Sequence, residues 1–191
     1  YSDFIDQDAD VYGTSACSSP ALYGSSDWCT VYQFKNAPKT TIEGVDIRLQ
    51  YDLSKATQLK FGYAATRGEK QEYDGDTVPI NTVQPQKFVA TLIHTRSNWG
   101  TRGTVTHTWR KDKSDIDGTT YFAPPAYTLV NLSGHYKPQK NLTLQAGINN
   151  LFDKKYWNWA SIASLLESST TKDMFTSPGR SFNVSVKYDF N

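Results

Sequence analysis

Three histidines, His94, His107 and His135, are the side chains best suited to hold iron, because a neutral imidazole is a good ligand for it. All three fall in stretches that read as β-strands rather than in loops where a ligand would arrive. His135 belongs to the polar set of its strand, and His107 shares parity with Val105 and Trp109. Each reads as a strand residue in a polar network, and no metal site is assigned. Asp112, Asp115 and Asp117, beside Lys111 and Lys113, loosely suggest calcium but lack the spacing of a cation loop, so they read as a solvated hairpin tip. No Gly-x-Ser-x-Gly or His-Glu-x-x-His occurs, and no histidine lies at a strand end beside both a carboxylate and a nucleophile. The chain is read as not an enzyme, with no catalytic residues.

Aromatic side chains in the long loops are better candidates for contact with a partner. Trp28, Tyr73, Tyr121, Phe122, Tyr156, Trp157 and Trp159 lie in or beside those loops with charges nearby. Rigid aromatic anchors beside charges suit a protein-binding or flat-ligand-binding surface. For Trp157 and Trp159 the favoured reading is that they brace the loops against one another. Cys17 and Cys29 are separated by eleven residues in one polar loop. In an oxidising compartment such a pair reads as a local disulfide; the alternative is two free thiols.

The elements that must position these residues show a two-residue period. In the closing run Phe182, Val184, Val186, Tyr188 and Phe190 alternate with Ser181, Asn183, Ser185, Lys187 and Asp189. Successive side chains of a strand point to opposite faces, so this run has one apolar and one polar face. Leu142, Leu144, Ala146 and Ile148 repeat the pattern against Thr143, Gln145, Gly147 and Asn149, as do Val45, Ile47, Leu49, Tyr51 and Leu53 against Asp46, Arg48, Gln50 and Asp52. About ten alternating residues is the length a tilted strand needs to cross a bilayer. The composition, 38% hydrophobic and 14% aromatic with a mean hydropathy of −0.58, suits a membrane barrel and equally a secreted β-sandwich or small soluble barrel, and does not separate them. Twenty basic and 19 acidic residues leave a net charge of +1, so no nucleic-acid footprint is visible. A run of about 18 apolar residues, which a membrane helix requires, does not occur.

In chain order the pattern predicts about eight strands. They are a short one from Tyr1 to about Gln7, one long strand from Val31 to Leu53, and then Leu59–Ala65, Lys87–Arg96, Gly103–Lys111, Tyr127–Tyr136, Leu142–Asn150 and Ser181–Phe190. Residues 8–30, 68–83, 112–120 and 153–177 read as long loops. Ser54-Lys55-Ala56, Asn98-Trp99-Gly100 and Pro138-Gln139-Lys140 read as tight turns. Short and long connections alternate, so all short turns fall at one end of the strands and all long loops at the other. Antiparallel outer-membrane barrels show this asymmetry, with short turns in the periplasm. No signal peptide precedes Tyr1, so the chain reads as mature or as a piece of something longer.

Asn149-Asn150-Leu151-Phe152-Asp153-Lys154-Lys155-Tyr156, then Pro178-Gly179-Arg180 and the alternating final strand, resemble the C-terminus of TonB-dependent outer-membrane receptors. The stretch from Asn36 to Asp46, with Glu43-Gly44-Val45-Asp46, resembles a second marker of that family. Tyr156-Trp157-Asn158-Trp159, Pro79-Ile80-Asn81-Thr82-Val83-Gln84-Pro85, Trp99-Gly100 and Ala126–Leu132 are similar to the haem, haemoglobin and transferrin branch.

The resemblance implies an all-β antiparallel transmembrane barrel in a Gram-negative outer membrane. Residues 1–191 would be the C-terminal portion of a barrel of about twenty-two strands, with its plug domain and TonB box elsewhere. It implies active transport of haem taken up free, from haemoglobin or from a hemophore. The partners would be a haem-carrying protein at the outer loops, the TonB–ExbB–ExbD energy-coupling system and membrane lipid. Haem would be the transported ligand rather than a covalently bound cofactor, and a loop tyrosinate is a further possible ligand for its iron. The alternatives are a receptor for a siderophore or other iron complex, a stand-alone eight-stranded barrel with a structural or adhesive role, and a secreted β-sandwich. Family members usually end on an aromatic residue, whereas here Asn191 follows Phe190.

Overall fold

The computed structural model describes residues 5–13, 28–36, 39–72, 75–118 and 120–190. Among them are ten strands: β1 (Ile5–Gly13), β2 (Trp28–Asn36), β3 (Lys39–Ser54), β4 (Thr57–Gln71), β5 (Thr77–Pro79), β6 (Lys87–Thr95), β7 (Trp99–Thr108), β8 (Tyr127–Gln139), β9 (Leu142–Asn149) and β10 (Ser181–Tyr188). The only helical pieces among the described residues are single 3-10 turns in the loops.

The chain divides into two compact units, residues 1–41 with 68–78, and residues 42–67 with 79–191. In the first unit β1 and β2 form an antiparallel hairpin, in register from Ile5 opposite Asn36 to Gly13 opposite Trp28. The single long strand expected over Val31–Leu53 is two strands, β2 paired with β1 and β3 paired with β4. Alternation is unbroken only in the second half of that stretch, and the available signal was Pro38, since β2 ends at Asn36 and β3 begins at Lys39 and a proline cannot donate to a strand ladder. The first strand also extends to Gly13, into residues expected to be loop. Asp6, Asp8 and Asp10 there mask the strand, because acidic residues are depleted in strands.

The second unit is built on an antiparallel sheet in the order β10-β9-β8-β7-β6-β4-β3, a meander in which each strand lies beside its chain neighbour. The short β5 pairs with β4. Because directly paired residues share a face, the register lays side chains in rows across the sheet. Leu59, Leu92, Gly103, Leu132, Ile148 and Phe182 form one row, and Trp99, Tyr136, Leu144 and Val186 another. The opposite face carries Lys60, Thr91, Thr104 and Asn131 in one row and Arg102, Ser133, Gly147 and Asn183 in the next. The register also fixes the face of β6, which its blurred period left open. Phe88, Ala90, Leu92 and His94 lie on the apolar side, with Val89, Thr91 and Ile93 opposite.

This sheet has no interior. Phe182 is 70% exposed and Val184 79%, as side chains that face hydrocarbon rather than a protein core would be. The buried hydrophobic residues among those described are Ile80, Ile116, Ala123, Trp159 and Ile162, all in loops. Short turns at 55–56, 96–98 and 140–141 close one end of the sheet, and the connections 80–86, 109–126 and 150–180 lie at the other. The β6–β7 turn lies before Trp99, which with Gly100 opens β7 rather than forming the turn; Arg96 N–H accordingly donates to Trp99 O at 2.7 Å. The expected strand Gly103–Lys111 is thus shifted towards the N-terminus.

Candidate functional site

The long-loop end is positioned first by the motif that closes β9. Asn150 and Asp153 both take positive φ, 50° and 53°, the left-handed conformation that asparagine and aspartate tolerate better than most residues. Asn150 is buried, and its amide bonds both ways to Lys154, Oδ1 accepting from N–H at 2.8 Å and Nδ2 donating to O at 2.9 Å. Its own N–H donates to Asn131 Oδ1 on β8 at 2.8 Å. Asp153 Oδ1 accepts from Arg180 N–H at 2.7 Å, immediately before β10. A Cβ at Gly179 would meet that same oxygen at 2.6 Å, so a larger residue there would have to displace the Asp153 carboxylate from its bond to Arg180. The motif is a clamp that ties both stems of the 150–180 loop to β8.

Above the clamp the loops build a small core of their own. Ile116, Ala123, Trp159 and Ile162 pack together, flanked by Tyr121, Phe122, Trp157, Ala163 and Leu165. Asn81 is its hub. The backbone oxygen of Asn81 accepts from Trp159 Nε1 at 2.6 Å, while its side-chain amide pairs with the backbone of Asp117, donating at 2.9 Å and accepting at 2.7 Å. Lys111 Nζ donates to Val83 O at 2.7 Å and lies 4.7 Å above the Trp159 ring. Burial pushes this amine down from 10.5 to about 8, partly offset by Asp115. Three connections distant in sequence are thereby joined at one asparagine.

The aromatic candidates meet here in part. Phe122 and Trp157 stack edge to face at 5.5 Å, and Trp157 Nε1 donates to Lys172 O at 2.9 Å. Lys155 lies 5.4 Å over the Trp157 ring and Lys172 lies 5.1 Å over Phe122. Tyr121 bridges to Leu166, and Tyr156 packs on Tyr127 at 4.6 Å. Tyr121, Phe122, Tyr156 and Trp157 are half-buried, whereas Trp159 is 2% exposed with its N–H already used, so it braces the loops. The crevice beside Trp157, Trp159, Pro124 and Pro125 holds about 10 Å³, no more than one water. Tyr73 and Cys17 lie outside the described residues. Trp28 and Cys29 are on the β2 backbone, with side chains outside the description.

The remaining charged and histidine candidates serve local structure. Asp112 caps a 3-10 turn by accepting from Ser114 N–H at 3.1 Å, and that bond holds its carboxyl below its usual range. Asp115 lies 3.6 Å from Arg67. His107 bonds Thr128 at 2.8 Å, and His135 lies so close over the opposite strand that a Cβ at Gly100 would meet its ring at 2.6 Å. Among the described residues no group of three acidic, histidine or cysteine side chains could hold a metal.

Sequence reading missed Asn81 and Lys111 as organisers, and the exposed Leu166, Met174 and Phe175 on the 150–180 loop. The bracketing prolines Pro79 and Pro85 were the available signal for Asn81. The apolar loop residues had none beyond exposure.

An open antiparallel meander with one lipid-type face, short turns at one end and a loop cap at the other is the wall of an outer-membrane β-barrel. The chain belongs to the TonB-dependent receptor-like β-barrel family, whose family model matches residues 1–151. It is 31% identical over 186 residues to the hemoglobin-haptoglobin-binding protein A of Haemophilus influenzae, covering 83% of this chain and 18% of that protein. The hemoglobin-haptoglobin utilization protein B of Neisseria meningitidis serogroup C is 26% identical over 204 residues, 93% of this chain and 24% of its own. The chain thus spans about a fifth of the length of these relatives. Among solved structures the ferric enterobactin receptor of Pseudomonas aeruginosa superposes with a TM-score of 0.65 at 22% identity, over 100% of this chain and 27% of that one. The copper transporter OprC gives 0.67 at 20% identity, over 85% and 25%. These two show the fold. The family is one of outer-membrane receptors rather than enzymes.

Proposed function

We propose that the chain is the C-terminal portion of the barrel of a TonB-dependent receptor that takes haem from haemoglobin or a haemoglobin complex. The observation that carries this reading is the similarity, over most of the chain, to receptors named for binding haemoglobin and haemoglobin–haptoglobin. The plug and the TonB-contacting segment belong to the remainder of the receptor, and the TonB–ExbB–ExbD system would supply the energy for transport.

The loop cap suits a protein partner better than a small ligand. Among the described residues the crevice beside Trp157 and Trp159 is too small for a porphyrin, and the cap holds aromatic and cationic side chains on a braced support. Met174 is 80% exposed, and Leu166 and Phe175 are also exposed, so the 150–180 loop offers apolar side chains to an arriving surface. Tyr121, Phe122, Tyr156 and Trp157 would add contact at their open edges, with Trp28 and Tyr73 as further loop aromatics and Trp159 holding the frame. Haem is the transported ligand in this reading, and its iron ligands lie in the rest of the receptor.

The test is haemoglobin capture by the full-length receptor. Met174→Asp with Phe175→Asp should weaken haemoglobin binding by about tenfold, as losing a contact worth about 1.4 kcal/mol would, while uptake of free haem is preserved. Unchanged haemoglobin binding would remove this loop from the interface. Transport of a ferric siderophore with no response to haemoglobin would replace the haem reading altogether.

A further inference from the structure

The lipid-type face of the second unit contains a trough that the transport reading does not use. Thr101, Gly134, Ala146 and Val184 are paired in succession across β7, β8, β9 and β10, so small side chains fill one row. The neighbouring rows are taller: Leu132, Ile148 and Phe182 on one side, and Trp99, Tyr136, Leu144 and Val186 on the other. A depression of about 680 Å³ lies over the small row on its Leu132–Ile148–Phe182 side, and a second hollow of about 390 Å³ lies on its Trp99–Tyr136–Leu144–Val186 side, the two sharing Thr101, Gly134, Ala146 and Val184. Their lining is almost wholly apolar.

At the β6 end the row reaches His94, which is paired with Thr101. A histidine on a lipid-type face must be satisfied, and this one is. Arg96 Nε donates to His94 Nε2 at 3.3 Å, which places the imidazole proton on Nδ1, facing Thr57 Oγ1 at 2.8 Å. The ring lies 5.1 Å from Trp99. Arg96 is held at its Nε, while its two Nη groups make no protein hydrogen bond among the described residues.

The charges at this end are mostly basic. Lys55, Arg96 and Lys140 lie in the three short turns and Lys137 near the end of β8, all exposed, and Asp52 and Asp189 are the acids at the same end. None of the four is ion-paired among the described residues. The nearest acids are already engaged: Asp52 accepts from Gln58 at 2.8 Å, and Asp189 pairs with Lys187 at 3.0 Å. Trp99 and Tyr136 sit at the level where aromatic residues mark a membrane interface.

We infer that the short-turn rim binds an anionic phospholipid, its phosphate on Arg96 beside His94 and one acyl chain lying in the Thr101–Gly134–Ala146–Val184 trough. The chemistry is that of a basic rim against an anionic leaflet, with an apolar depression that a flexible chain fills and a flat protein surface would not. The inference rests on the barrel-wall assignment, and is independent of which ligand the outer loops receive.

The test uses the full-length receptor in mild detergent, stripped of lipid and offered equal amounts of phosphatidylglycerol and phosphatidylethanolamine of matched chain length. Retained lipid is counted by native mass spectrometry. Phosphatidylglycerol should be kept in preference, and inorganic phosphate at millimolar concentration should not displace it. Arg96→Gln should lower phosphatidylglycerol retention about fivefold and Arg96→Lys should restore most of it. Ala146→Phe should expel long-chain lipid while leaving a short-chain phosphatidylglycerol bound; if that variant does not assemble, Ala146→Leu carries the same comparison. Equal retention of the two lipids, displacement by free phosphate, or no change in either variant would overturn the proposal. So would a wild-type dimer that Ala146→Phe converts to monomer, since the trough would then hold a second copy.

Discussion

Asn150 and Asn81 are both asparagines at the long-loop end whose bonding organises a loop, and they do so at different ranges. Asn150 bonds to Lys154 four residues on and, through its N–H, to the adjacent strand β8. Asn81 joins residues from three connections, the furthest 78 positions away. The first fixes where a strand pair ends; the second fixes how loops stand over it. A clamp made from neighbours in sequence can be written as a motif, whereas a hub assembled across the fold cannot.

The largest effect that would separate the two is at Trp159. Trp159→Ala should cost the loop cap about 3–5 kcal/mol, the usual loss for emptying a buried tryptophan site. Because the core is local, amide exchange and proteolysis should rise in residues 109–126 and 153–177, while the sheet stays protected. If the sheet opened as well, the two hubs would not be independent.

Asn150→Ala should cost about 2–4 kcal/mol, from two side-chain hydrogen bonds and the positive φ. Here the readout is the denaturant midpoint of the full receptor in phospholipid vesicles, since the β9–β10 closure is damaged. Asn150→Gly keeps the backbone conformation and should recover part of the loss. A glycine variant worse than alanine would show that the positive φ contributes nothing.

Asn81→Ala should be milder, about 1–2 kcal/mol, because the backbone oxygen that receives Trp159 remains and only the Asp117 pairing is lost. Loosening should be confined to residues 109–126.

A separate effect is in pH. Lys111 has its ordinary value of 10.5 lowered to about 8 by burial, so the unfolded loop binds the proton more tightly than the folded one. The cost of holding this cation is fully present below about pH 8, and loop protection should rise as pH goes from there to 10.5. Lys111→Met should flatten that rise. A rise that survives the substitution would assign it to another group.

The same contrast explains what was legible in the sequence. Strands β3, β8, β9 and β10 could be read from alternation, because each has a lipid-type face that admits few polar residues. The division of labour between short turns and long loops followed from their lengths. β6 was opaque because Val89 and Ile93 lie on the polar side, and β1 because its aspartates disguise it. The family motifs were legible because the Asn150 clamp and the Gly179 approach each favour particular residue types. At the site, the reading of Trp159 as a brace matches its burial, yet Lys111, the cation over it, was read as part of a solvated tip. Nothing in a polar loop sequence announces which lysine will lose its water.

The joining of connections at Asn81 has a mechanical consequence. A load applied at the outer tip, around residues 172–175, passes through Lys172 to Trp157 and along the 157–159 segment to Trp159. From there it enters the 80–83 turn ahead of β6 and the 109–117 segment after β7. A push on one loop is therefore carried by several staves of the wall at once, so the cap works as a yoke rather than as a set of separate tethers.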